Sequence, residues 1–397
     1  MMDDFATAKL DYATGSPRKG DAAQRVLSKQ DFDVAIAEIT AWEGYKETPL
    51  IALNILAEKL GIGQIHYKHE GSRFGLGSFK ALGGSYAALR LLQRELSVRL
   101  GKDIALVDIR NGKYRDACRE VTLVSATDGN HGRSLAWGCQ RFGAPCRIYI
   151  HAEVSEGRAE AMRALGAEVI RISGDYDASV TLARQDADEN GWFVVSDTSW
   201  PGYSEPPRDV MAGYSVMTHE ACVALDKAPT HVFLQGGVGG LAASVAAFLR
   251  QYWGDNAPCV IIVEPALAAC LIESARQGKA TAVPIIDETI MAGLSCGEPS
   301  EMAWEILSEE ASDFVTIPDR IVAPTVRLLA RPFGGDPAIE AGESAVAGLA
   351  ALIAARQDSA LSKMLGLDGA SRVLLIGSEG VTDPVIFEAI MKGQDYV

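Results

Sequence analysis

The chain has 397 residues, enough for two to three domains at ~150 residues each, so small-domain and peptide classes are excluded. Hydrophobic residues at 48% and charged residues at 22% exclude a disordered chain. The 37 basic against 52 acidic side chains leave a net charge of -15, which repels a phosphate backbone and argues against nucleic acid as a partner.

Residues 1–12 carry Asp3, Asp4 and Asp11 and no apolar run, so neither a secretory signal nor a transit peptide is expected. The longest uncharged run, 228–249, is interrupted by Pro229, His231, Gln235 and four glycines, and therefore reads as strand, loop and helix instead of a membrane span. A cytoplasmic protein is the expectation. The seven cysteines form no C-x-x-C pair, which predicts free thiols in place of a disulfide framework or a zinc site.

In chain order, 64–69 reads as a strand. His66 and His69 then point to opposite faces, and with Glu70 they do not make the H-E-x-x-H pattern of a metal site. Next, Lys80 sits among four glycines over 75–84; it is either a solvated loop lysine or, if desolvated, an amine able to form an imine with a carbonyl. Strands are predicted at 104–109 and 121–125, then a polar loop, Ala126-Thr127-Asp128-Gly129-Asn130-His131-Gly132, at a strand's carboxyl end where open α/β sheets bind ligands. The alternative for Asp128 or Asn130 is a simple helix N-cap. Helices at 132–142 and 156–165 stop at Gly143 and Gly166, between strands at 147–150, 168–173 and 192–196. After a Pro- and Gly-rich loop at 201–207, strands at 231–235 and 259–264 flank a helix at 241–252, and a last strand falls at 372–376. The alternation predicts an α/β fold with a mainly parallel sheet. A smaller domain, 86–205, is expected as an insertion in a larger one built from 1–85 and 206–397.

Gly236-Gly237-Val238-Gly239-Gly240 lies between a strand and a helix start, where backbone N–H groups and the helix dipole favour a phosphate. Two alternatives stand beside it. One is a tight turn needing positive φ. The other is the dinucleotide fingerprint G-x-G-x-x-A over 237–242, with Glu264 ending the next strand as the ribose carboxylate of a nicotinamide dehydrogenase. No G-x-S-x-G elbow is present, so acyl transfer has no support.

Ser78-Phe79-Lys80, then a Gly-Asn-His loop, then a glycine-rich phosphate loop resembles, in that order, the fold type II pyridoxal phosphate enzymes related to tryptophan synthase β. The likeness narrows to the diaminopropionate ammonia-lyase family on Arg73-Phe74-Gly75-Leu76, on 126–132, on Met291-Ala292-Gly293-Leu294-Ser295-Cys296-Gly297-Glu298 and on Gly342-Glu343-Ser344-Ala345. The resemblance implies two open, twisted, mainly parallel sheets with helices on both faces, in a homodimer. It implies that Lys80 binds the aldehyde of pyridoxal 5'-phosphate, that Phe79 adjoins the cofactor, and that Gly236, Gly237, Val238, Gly239 and Gly240 hold its phosphate. Asn130 is implied as the contact of the 3'-oxygen and Ser378 as that of the pyridine nitrogen; Gly377 stands where a hydroxyl is also common in the family. The activity implied is a β-elimination giving pyruvate and ammonia, with Lys80 as base for one enantiomer and Asp128 for the other.

Thr127, Asp128 and Gly129 are the expected substrate loop. Related threonine and serine dehydratases have a small or hydroxyl residue where this chain has Asp128. Asp197, after the strand at 192–196, is a second carboxylate able to attract the extra ammonium of a diamino acid, or else a strand-end turn residue. A hydroxyamino-acid dehydratase and, more distantly, the dehydrogenase remain the alternatives. Cys270 and Cys296 lie in family-like segments and can pair reversibly if their Cα atoms fall within about 7 Å.

Overall fold

The computed structural model describes residues 3–17, 20–127, 129–332 and 334–396. Asp128 lies outside the described residues. The strands are β1 (Tyr12–Thr14), β2 (Leu50–Ala52), β3 (Gln64–His69), β4 (Leu123–Ala126), β5 (Cys146–Ile150), β6 (Glu168–Arg171), β7 (Phe193–Val194), β8 (His231–Gln235), β9 (Cys259–Pro265), β10 (Ala311–Ile317) and β11 (Arg372–Gly377). Contacts divide the chain into two units. The first comprises Met1–Lys29, Glu47–Phe79 and Met217–Val397; the second comprises Gln30–Lys46 and Lys80–Val216.

In the first unit seven strands run in the order β1-β10-β9-β8-β11-β3-β2, parallel from β10 through β3 and antiparallel at both three-residue edges. A parallel strand covered on both faces must be apolar on both, and β8 and β11 are buried almost throughout. From β8 the chain steps outward to β9 and β10, whereas β11 and β3 lie on the other side, so the order reverses between β8 and β11. That reversal puts the glycine run after β8 and Ser378 after β11 at neighbouring carboxyl ends, the ligand position of open α/β sheets. Phe79 N donates to Ser378 O at 2.9 Å and Ser78 bridges Glu379, which pins the residues ahead of Lys80 to the end of β11.

In the second unit the order is β6-β5-β4-β7, all parallel. Lys80 is the first residue of a 21-residue helix, Lys80–Leu100, that crosses the Asn130–Phe142 helix. The crossing is made by glycines: a Cβ at Gly84 would lie 2.8 Å from Ser134 Oγ, and one at Gly138 would lie 2.7 Å from Ser85 Cα. Gly83 and Gly84 therefore serve helix packing within the helix and are not part of a loop around the lysine. Ser134 Oγ accepts Ser85 N–H at 3.1 Å across the same contact.

The boundaries differ from 86–205 chiefly because 30–46 joins this unit. Trp42 meets Trp137 and Phe142 edge to face, with centroids 5.8 and 6.0 Å apart, and hydrophobic burial outweighs distance along the chain. The strand expected at 104–109 is instead a short helix, Leu106–Arg110. Ile104 has its N–H on Ser97 Oγ and its carbonyl on Gln93 Nε2, so side chains satisfy the backbone that a ladder would otherwise have to pair. Among the described residues no helix is long and apolar enough to cross a membrane.

Two glycine substitutions should act in opposite directions. Gly138→Val presses a branched side chain onto Ser85 backbone and should lower stability by about 2 kcal/mol, more than the few tenths a side chain gains over glycine in a helix. Gly157→Ala, at a helical position where a Cβ meets nothing within 4 Å, should raise stability by up to about 0.5 kcal/mol. Urea denaturation midpoints of the two variants check this.

Candidate active site

In the second unit, Lys80 Nζ lies 2.6 Å from Asp197 Oδ2, with side-chain exposures of 23% and 16%. His131 Nδ1 approaches the same oxygen at 3.9 Å. Burial alone would raise the Asp197 pKa, but the charges of Lys80 and His131 and the lysine hydrogen bond hold it well below the usual carboxylate range. Asp197 is therefore an anion matched to an ammonium. Burial pushes the Tyr214 phenol up, against the effect of Lys80, so Tyr214 stays protonated in the same neighbourhood.

The segment that presents Asp197 is clamped. Tyr203 Oη donates to Val194 O and accepts Ser196 N–H, His131 Nε2 donates to Val195 O, and Trp200 and Tyr203 exchange backbone hydrogen bonds. Their rings stack at 3.9 Å, with Arg184 3.6 Å above Trp200. Neither the Tyr203 clamp nor the Arg184 stack was expected from sequence; the signal present was an unusual density of aromatic residues just after Asp197.

The loop after β4 begins with Thr127, whose Oγ1 accepts Gly129 N–H at 3.2 Å. Gly132 has no side chain because a Cβ there would strike Thr127 and, at 2.6 Å, the Met162 sulfur. Asn130 is the first residue of the helix behind this loop and Gly129 is its N-cap, so the N-cap reading fails for Asn130, while the one for Asp128 falls on a residue outside the described ones.

In the first unit the glycine run makes an uncapped helix start. Gly239 is left-handed (φ +95) and caps the helix Gly240–Trp253 without a side-chain hydrogen bond, and Gly237 is also left-handed (φ +58). The first N–H groups of that helix have no intrahelical acceptor. Gly239 O and Gly236 O are tied into the turn by Ala243 N–H and Gly239 N–H, while Ser300 N–H holds Val238 O at 2.9 Å. A cradle of outward N–H groups at a helix start fits a phosphate.

Glu264 does not face that cradle as a ribose ligand. It is buried, and its two oxygens accept Leu271 N–H and Ile272 N–H at 2.8 Å, capping the helix Cys270–Gln277. Burial pushes its pKa up to about 7 despite those hydrogen bonds. Cys270 is a buried thiol 3.6 Å from Gly237 O; Cys296 is a half-buried thiol.

At the end of β11 a side chain at Gly377 would collide with the Tyr67 ring, so a hydroxyl has no room there, and the next residue, Ser378, carries one. A Cβ at Gly237 would lie 3.5 Å from Gly293 O and 3.8 Å from Cys296 Sγ, and one at Gly293 would lie 3.1 Å from Ser344 Oγ, so the 291–298 block lies against the glycine run and the 342–345 block against the 291–298 block. Arg73 is not a ligand-binding arginine. With Lys68 it neutralises Glu70 and Glu220, all four buried, and Glu70 is thereby occupied and unavailable to His66 or His69.

Residues 41–378 match the family model described as pyridoxal-phosphate dependent enzyme. The diaminopropionate ammonia-lyase of Escherichia coli K12 is 39% identical over 361 residues, 89% of each chain, and that of Salmonella typhimurium is 36% identical over 397 residues, 98% of this chain and 96% of the relative. The chain belongs to the diaminopropionate ammonia-lyase family of pyridoxal-phosphate enzymes. The crystal structure of the E. coli family member in complex with an aminoacrylate-PLP azomethine reaction intermediate superposes with a TM-score of 0.87, at 36% identity and 97% coverage of both chains. The family's cofactor fits the chemistry that each unit offers by itself: in the first, a helix start for a phosphate and a hydroxyl for a ring nitrogen, and in the second, a lysine amine for an aldehyde.

The Glu264 geometry predicts a pH effect. Its folded pKa of about 7 exceeds the ordinary glutamate value of 4.5, so the folded chain binds the proton more tightly and this residue withdraws stability as pH rises through that window, by roughly 3 kcal/mol in full. Glu264→Gln should cost stability below about pH 5 by leaving one helix N–H unpaired, yet show a flatter decline between about pH 5 and 7. Denaturation midpoints of both proteins across that range decide it; parallel slopes would contradict the shift.

Proposed function

We propose that this chain eliminates the β-amine of 2,3-diaminopropionate, using pyridoxal 5'-phosphate, so that the diamino acid and one water become pyruvate and two ammonium ions. The observation that carries the substrate is the Lys80–Asp197 pair. A carboxylate that already holds an ammonium at 2.6 Å is suited to hold the second ammonium of a diamino acid, for which a neutral β-hydroxyl would be a poor replacement. Family membership supports the same reading.

Gly236, Gly237, Val238, Gly239 and Gly240 would hold the phosphate, Asn130 the 3'-oxygen, Ser378 the pyridine nitrogen, with Phe79 alongside, and Lys80 the aldehyde. The cofactor supplies the electron sink that makes the substrate's α-carbon acidic. Lys80 Nζ takes the α-proton of one enantiomer, and Asp128, in the Thr127-Asp128-Gly129 loop, takes it from the other. Asp197 holds the β-ammonium until the carbon–nitrogen bond breaks and ammonia departs; the released enamine then hydrolyses without help. A hydroxyl at Ser378, unlike a carboxylate, leaves the ring nitrogen largely unprotonated, which favours elimination over transamination. The reading includes a homodimer, as the family resemblance implies, and a cytoplasmic location, which seven thiols suit.

Purified holoenzyme should lose its visible absorbance on borohydride treatment with the label on Lys80, and Lys80→Ala should retain less than about 0.1% of turnover. On a panel of β-substituted alanines, kcat/KM for diaminopropionate should exceed that for serine by at least tenfold, about 1.4 kcal/mol. Equal values would favour the dehydratase instead.

Asp128→Asn separates two roles. As the second base, Asp128 is needed for the D-isomer, so the variant should lose at least about 100-fold in kcat/KM on D-diaminopropionate and far less on the L-isomer, where Lys80 is the base. Equal losses on both isomers, measured as pyruvate release, would leave Asp128 as an ammonium anchor only.

A further inference from the structure

His131 lies beside the reacting groups, and the mechanism above gives it nothing to do. Its Nε2 is 2.9 Å from Val195 O, and a carbonyl only accepts, so Nε2 carries a proton. The ring is 4% exposed and its Nδ1 has no hydrogen-bond partner. That nitrogen faces Asp197 Oδ2 at 3.9 Å, the same oxygen that Lys80 Nζ holds at 2.6 Å. One carboxylate oxygen thus stands between two basic nitrogens.

A bare Nδ1 lone pair facing an anion is repelled, whereas a proton on Nδ1 is attracted. How strongly depends on Lys80. With the lysine ammonium in place the charge of Asp197 is already met, and a second cation gains little. With the lysine nitrogen engaged elsewhere, Asp197 would be a poorly hydrated carboxylate without a counter-ion, and Nδ1 is placed to become one.

We propose that His131 is a positioning residue of the elimination, carrying a proton on Nδ1 as the alternate counter-charge of Asp197 whenever Lys80 is not its partner. Only an N–H bond forms and breaks: the proton arrives from water and returns to it when an ammonium, of lysine or of substrate, docks on Asp197. Asp197 thereby stays anionic and fixed in direction through turnover. The proposal rests on the reading of Lys80 as the cofactor's amine only for the moment at which the exchange occurs.

The charged groups around this nitrogen are Asp197 beyond β7 and, through Asp197, Lys80 at the start of its helix; Tyr214 of the Glu205–Ala224 helix feels both of them, Arg133 is a partly desolvated group on the histidine's own helix, and Arg158 of the Glu156–Arg163 helix lies beside Gly129, its Cδ 3.5 Å from where a Cβ would stand. Arg147 of β5 is turned to Glu168 and Trp192.

The test is 15N NMR of the full-length chain labelled in its histidine rings, with the His131 signal assigned by its loss in His131→Gln. In cofactor-free protein, Lys80→Ala should raise the titration midpoint of His131 by about 1–2 pH units over wild type, the size expected for an uncovered charge at this distance. Lys80→Ala combined with Asp197→Asn should abolish the rise. Should Lys80→Ala not fold, Asp197→Asn alone is expected to lower the midpoint. Loading the wild type with pyridoxal phosphate should raise it as Lys80→Ala does. A midpoint indifferent to Lys80 and to Asp197 overturns the proposal. A rise in Lys80→Ala with none on loading supports the counter-charge and overturns Lys80 as the cofactor's amine.

Discussion

A carboxylate withdrawn from bulk water has to be met by a cation, and Asp197 imposes that condition on the whole lysine-bearing unit. Lys80 reaches it only because its helix can lie close against the Asn130–Phe142 helix, and that closeness depends on Gly84 and Gly138 having no side chains. The partner has to be held as firmly as the lysine. Tyr203 grips the backbone on either side of Val195, and His131 grips Val195 itself, so the strand that ends at Val194 continues in a fixed direction to Asp197. The hydrogen bonds of this clamp all act on main chain and leave the carboxylate for the ammonium.

The other unit solves a related problem with charges fully enclosed. Arg73 holds both oxygens of Glu220 at 2.7 and 2.8 Å and both of Glu70 at 2.8 and 2.9 Å, and Lys68 Nζ sits 2.5 Å from Glu220. Burial pushes Glu220 up, but Arg73 and Lys68 bring its pKa down to about 2. Such a cluster is a weak source of stability, since desolvation offsets much of the attraction, but removing any one member leaves a buried charge unmet. What it secures is a shape. Between Arg73 and Gly75 the chain turns through Phe74 at φ +50, left-handed for a bulky residue, and then runs on to Ser78 and Phe79 at the end of β11. The motif Arg73-Phe74-Gly75-Leu76 therefore belongs to the scaffold of the lysine segment.

Much of this was legible in the chain. The runs at 231–235, 259–264 and 372–376 read correctly because doubly covered parallel strands must be apolar throughout, and few other elements that short are. The run at 104–109 has the same composition and failed, because its backbone needs are met by Gln93 and Ser97, contacts that no local pattern announces. β10 passed unread: Asp313 interrupts its apolar pattern, and only the hydrogen bond from Tyr12, three hundred residues earlier, explains a polar side chain there. The glycines around Lys80 announced a close approach but not to what. Gly83 and Gly84 meet Tyr214 and Ser134, residues distant in sequence, so a helix start was indistinguishable from a loop.

The glycine run after β8 shows how one pattern can satisfy two fingerprints. Both a dinucleotide and a pyridoxal phosphate need backbone N–H groups at a helix start, so Gly237 and Gly239 answer either demand equally. What separates the two is the acid at the end of the next strand. In the dinucleotide arrangement that carboxylate must turn outward to a ribose, with its oxygens free to accept hydroxyls. Here Gly236 allows Glu264 to approach so closely that a Cβ would lie 2.6 Å from its Cγ, and the carboxylate turns inward to receive two N–H groups of the following helix. With both oxygens engaged and water excluded, the acid is a cap and not a ligand. The glycines establish that an anion can be bound after β8; the direction taken by one buried glutamate excludes the sugar that would have made it a dinucleotide.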